Sequence, residues 1–85
     1  MSSAGDLVER INKVIKSFED LDADLAGAIE EAQDAIDKAE ALGHHLAIEA
    51  FTGIQESLED LRKPLSELES NTERVRKRVE EFGDD

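Results

Sequence analysis

From Phe51 to Phe82 an apolar residue recurs at alternating steps of three and four: Phe51, Ile54, Leu58, Leu61, Leu65, Leu68, Thr72, Val75, Val79, Phe82. A strand repeats every second residue and a loop keeps no period. A three-four repeat held without a slip therefore restricts this stretch to a helix that lies along another helix. Thr72 is the polar exception. At such a position it either sets register and partner choice or serves as a small residue near a helix end.

The first half carries a related stripe, Leu7, Ile11, Val14, Phe18, Leu21, Leu25. Its next heptad positions are Ala28, Ala32, Ala35 and Ala39, while the bulky Ile29 and Ile36 stand one place later. This reads as a four-residue stutter in the repeat. Alanines crowd the segment from Ala23 to Ala41, with Gly27 among them. Glycine costs a helix interior about 1 kcal/mol against alanine, so Gly27 is expected either to mark a close approach of a neighbouring backbone or to be simply tolerated.

Gly43 follows the last periodic residue of the first half, as a helix-ending glycine does. The expected organisation is one domain. It has a disordered lead-in over residues 1–5, a first helix over 6–42 and a turn over 43–45. A second helix over 46–82, kinked near Pro64, precedes a tail over 83–85 that begins with a helix-ending Gly83. Two equal helices joined by a short turn make an antiparallel hairpin, and the fold class is all-α.

The second helix flanks its stripe with Gln55, Arg62, Glu69, Arg76 and other polar residues, a narrow seam for one neighbour. The first adds Val8, Ile15, Ile29 and Ile36 beside its stripe, a wider face. These four are the expected interface between two hairpins closing into a four-helix bundle, and Leu25, Leu58, Leu61 and Leu65 are its expected core. With 85 residues in all, a second copy or a related small helical chain would help bury enough apolar surface.

The net charge of −12 opposes nucleic acid and anionic lipid as partners. It is unevenly placed: residues 17–72 hold 15 acids and 3 bases, and the two terminal segments together hold 7 of each. A basic protein would be steered to the turn half. No apolar run approaches the length of a spanning helix, and no cationic segment leads into an apolar one as in a signal peptide. The expected location is cytoplasmic, with export by a signal-peptide-independent route as the other course.

Catalytic and metal chemistry find little footing. There is no cysteine. His44 and His45 are adjacent, whereas zinc sites on helices need His residues one turn apart and further ligands fixed nearby. Acid pairs such as Glu19–Asp20 and Glu30–Glu31 lack a pocket to oppose them, and no Gly-rich phosphate loop occurs. The expectation is a non-enzyme with no cofactor and no metal. Arg74-Val-Arg-Lys-Arg78 is a short basic cluster that closes the charge-balanced end of the rod.

An acidic hairpin of this length, with Ala47, Ala50 and Phe51 just past its turn and then Gly53-Ile54-Gln55, resembles the small WxG proteins of type VII secretion. The likeness covers residues 6–82 as architecture and 47–55 as sequence. Gly43 and His45 stand where that family has Trp and Gly, and the chain has no Tyr for the family's C-terminal export motif. The resemblance implies a protein-binding hairpin that acts as a homodimer or heterodimer, with an export signal supplied by a partner. The alternative reading is a small acidic regulator, an antitoxin, phage inhibitor or nucleic-acid mimic that occludes a basic site.

Overall fold

The computed structural model describes residues 3–83. Two long helices account for nearly all of them. Helix α1 spans Ser3–Leu42 and α2 spans His45–Gly83, and no strand occurs among the described residues. They run side by side as a hairpin 65 Å long and 16 by 11 Å across.

The turn is built from two residues with interlocking roles. Gly43 takes a φ of +66°, the left-handed region that costs a residue with a Cβ about 1–2 kcal/mol. Its N–H donates to the Glu40 carbonyl at 3.0 Å, and the His44 N–H donates to the Ala39 carbonyl at 3.0 Å. These two bonds form a Schellman motif and satisfy carbonyls that the last turn of α1 leaves open. The His44 carbonyl then accepts the Ile48 N–H at 3.1 Å, and its Nδ1 accepts the Ala47 N–H at 3.2 Å. His44 thus closes α1 and caps α2 at once. The second helix starts at His45, so the irregular link is shorter than the expected three residues.

The helix ends also differ from expectation. Ser3, Ala4 and Gly5 belong to α1, not to a disordered lead-in. Gly83 lies inside α2 and lacks the left-handed φ of a helix-ending glycine. A Cβ placed on Gly83 would stand 2.8 Å from the Cβ of Ala4, so close packing of the two helix ends is what requires glycine there. Met1, Ser2, Asp84 and Asp85 lie outside the described residues. Pro64 sits within α2, which is helical on both sides of it; lacking an N–H, it donates no hydrogen bond to the Asp60 carbonyl.

The seam follows rows seven residues apart. On α1 it takes Ile11, Phe18, Leu25, Ala32 and Ala39, together with Val8, Ile15, Asp22, Ile29 and Ile36. On α2 it takes Phe51, Leu58, Leu65, Thr72 and Val79. The most enclosed side chains are Ile15, Ala32, Ile36, Ala39 and Leu65. The same two α1 rows face inward from Val8 to Ala39, so the expected stutter is not a change of phase. Bulk passes from one row to its neighbour while the helix keeps its register. Gly27 marks no close approach within the hairpin, since a Cβ there meets nothing within 4 Å.

Candidate functional site

Val8, Ile15, Ile29 and Ile36, the expected interface between hairpins, lie instead in the seam between α1 and α2. Ile15 is 6% exposed and Ile36 5%, and Val8 and Ile29 are half-buried. Polar side chains of α2 reach α1 only when the helices meet along these rows. The Gln55 Nε2 donates to the Gln33 Oε1 at 2.9 Å, and the Arg76 Nη1 donates to the Asn12 Oδ1 at 3.2 Å. The Arg62 Nε lies 3.4 Å from the Asp22 Oδ1. Residues 55, 62 and 76 fall on one heptad row, so these contacts line a single edge of the hairpin. By composition alone that row reads as the solvated flank of a narrow seam.

The opposite edge is apolar and open. On α1 it is the row Leu7, Val14, Leu21, Ala28, Ala35, Leu42, and on α2 the row Ala47, Ile54, Leu61, Leu68, Val75, Phe82. Each row lies about 60° to the same side of its inward stripe. Because the helices are antiparallel, both turn toward the same face of the hairpin. Shared grooves agree: Leu7 lines one with Val79 and Phe82, and Ala35 and Leu42 line another with Ala47 and Phe51. Every position of the two rows is apolar. Those of Leu7, Val14, Leu21, Ile54, Leu61, Leu68 and Val75 stand 46–55% exposed, and Phe82 and Leu42 more than that. Leu61, expected in a bundle core, is thus on the open face of the single hairpin. Leu25 and Leu58 are half-buried in the seam, and Leu65 is buried there.

The remaining polar candidates separate. Arg76 turns to Asn12 and to Glu80, 3.8 Å from its Nε, whereas Arg74, Lys77 and Arg78 line a shallow surface depression with Asn71 and Val75. Thr72 donates its hydroxyl to the Leu68 carbonyl of its own helix at 2.7 Å. His44 is used as a cap, as described above, and His45 is exposed. Among the described residues no three His, Cys, Asp or Glu side chains are grouped to hold a metal ion. Nor is any helix there long and apolar enough to cross a membrane.

The signal for the open face was present in the sequence as half of each stripe. Which half turns outward depends on the rotation of each helix, and that is set by its neighbour. No family model, no curated protein and no solved structure matches this chain.

Proposed function

We propose that this chain is a non-enzymatic protein–protein interaction module that presents the open apolar face to another helical hairpin, completing a four-helix bundle. The observation that carries this reading is the pair of uninterrupted apolar rows on one side of the rod, 46% or more exposed at every bulky position. Contiguous exposed apolar surface of this kind marks binding sites on small proteins. The resemblance to the small WxG proteins leads to the same assembly, a homodimer or heterodimer, and to export in company with a partner.

The test compares the unaltered chain with Leu61→Glu/Leu68→Glu. An environment-sensitive apolar dye and light scattering report whether the face is open or covered. The reading expects the unaltered chain either to associate or, as a monomer, to bind the dye, and the double variant to lose both properties while staying helical. A dye-silent monomer with a sharp unfolding transition would overturn it.

The charge favours a second reading, an acidic regulator of a basic protein. The segment of net −12 leaves much acidic side-chain surface on the outer faces of both helices. Affinity for such a partner would fall steeply with ionic strength, whereas a bundle held by apolar contact would hardly respond.

A further inference from the structure

We propose that the outward side of α2 between Ser70 and Arg78 is a second docking surface, which takes an acidic stretch of a partner protein. It is separate from the open apolar face and stays in water when that face is covered.

Helix geometry sets this surface apart. Arg74 follows Thr72 of the inward row by two residues, and Lys77 precedes Val79 of that row by two. Each therefore stands about 160° from the seam and points away from α1. Ser70, Asn71 and Arg78 share that outward side, and all five are exposed. No acid stands among them; Glu67 and Glu81 bound the stretch at its two ends. Of the basic cluster only Arg76 turns to α1, where it meets Asn12.

These bases lack the partners that so acidic a chain gives its others. Of the ten Lys and Arg residues, Arg74 alone has no acid three or four places away. Its neighbours at those spacings are Ser70, Asn71, Lys77 and Arg78, two hydrogen-bonding side chains and two more cations. Lys16, Arg62 and Arg76 pair with carboxylates, but among the described residues none lies within ion-pair reach of Arg74, Lys77 or Arg78. Helix polarity does not account for the cluster, because its effect is confined to the last turn and Arg74 stands more than two turns before Gly83. An outside carboxylate would find a planar guanidinium fork at Arg74, with the Ser70 hydroxyl, the Asn71 amide, Lys77 and Arg78 one turn away on either side.

Shape and length select the ligand. Two shallow depressions, of about 550 and 380 Å³, share Asn71 and Arg74 and continue one another from Ser66 to Arg78. Val75 of the open row only edges them. They enclose too little to bury a small molecule, whereas a peptide segment can lie along them. The acid-free run is about 12 Å long at 1.5 Å per residue. A nucleic acid strand outruns it and meets Glu67, Glu81 and the acidic half beyond, so its phosphates are repelled. A short acidic segment is not. The charge of −12 leaves room for such a ligand, since the two terminal segments hold 7 acids and 7 bases. Most of the acidic segment lies farther along the 65 Å rod than the screening length, about 10 Å in 0.1 M salt.

The probe is a fluorescein-labelled hexaglutamate peptide, followed by fluorescence anisotropy and by the amide shifts of the isotope-labelled chain. It should bind, with shifts centred on Asn71 to Arg78 and affinity falling as salt rises, while hexaglutamine with the same label should not. Arg74→Gln/Lys77→Gln should weaken binding about tenfold or more, the loss expected when charged hydrogen bonds are removed. Lys16→Gln/Lys38→Gln removes the same charge from exposed sites on α1 and should leave binding nearly unchanged, with both variants as helical as the unaltered chain by circular dichroism. Equal weakening by the two pairs would overturn the site, as would no binding of hexaglutamate. Tighter binding of a single-stranded oligonucleotide than of the peptide would overturn the protein partner.

Discussion

Val14 and Ile15 are consecutive in α1 and lie on opposite sides of the division that governs this molecule: Val14 is 46% exposed on the open face, and Ile15 is 6% exposed in the seam. A helix turns about 100° per residue, so one step along the chain separates hairpin core from outer surface.

Ile15→Ala should lower the unfolding free energy of the hairpin by about 2–4 kcal/mol, the usual cost of emptying a buried isoleucine site. Val14→Ala should cost an isolated hairpin well under that. Chemical denaturation at low protein concentration, on the background of Leu61→Glu/Leu68→Glu, compares them without assembly. Equal losses would contradict the placement of Ile15 in the seam and Val14 outside it. For the same reason Ile15→Glu/Ile29→Glu should unfold the hairpin, not yield a helical monomer, as circular dichroism would show.

His44 capping α2 while closing α1 makes the turn a second point of sensitivity. Gly43→Ala should cost about 1–2 kcal/mol through its left-handed backbone alone, since no atom lies within 4 Å of the added methyl. His44→Ala should cost about 0.5–1 kcal/mol and His44→Ser should restore stability, because serine is a strong N-cap. Thermal melts of the three variants would check the order.

Gly27 and Gly83 should respond in opposite ways to alanine. At Gly27 the methyl meets open space within a helix, so Gly27→Ala should stabilise by about 0.5–1 kcal/mol. At Gly83 the methyl meets the Cβ of Ala4 at 2.8 Å, so the helix ends must separate. Gly83→Ala should accelerate amide hydrogen exchange in the last turn of α2 and the first of α1. Gly27 also lies off the open face. A Gly27→Ala variant that loses association would move the docking surface elsewhere.

Thr72 is half-buried in the inward row of α2 and bonds only its own backbone through its hydroxyl. Its hydroxyl supports no contact to α1. Thr72→Val should therefore keep the hairpin register and leave stability unchanged or raised by about 0.5–1 kcal/mol in thermal unfolding. A substantial loss would give the hydroxyl a structural role that the Leu68 bond does not explain.

The helical hairpin was legible because its signals are local. The three-four repeat from Phe51 to Phe82 depends only on the pitch of a helix, and Gly43 stops a helix through its own backbone freedom. The open face was only half legible. Leu61, Leu68 and Val75 were plain in the stripe, yet nothing local distinguishes them from Leu58, Leu65 and Val79, which turn to α1. The roles of Gln55, Arg62 and Arg76 were hidden for a related reason, since their partners Gln33, Asp22 and Asn12 are distant in the chain.

The amino-acid sequence by itself determined two amphipathic helices of equal length, their turn, the net charge and its concentration away from the chain ends. Only the tertiary structure decided the rotation of each helix about its axis. Helix α1 offers three neighbouring apolar rows and α2 two apolar rows beside a polar one, so the periodicity of neither helix fixes which row turns inward. The choice falls to contacts between the helices, where isoleucine and alanine of α1 pack against α2 along one line and polar side chains bridge the edge beside it. That rotation places Ile15 and Ile36 in the core and leaves Leu21 and Leu61 facing outward.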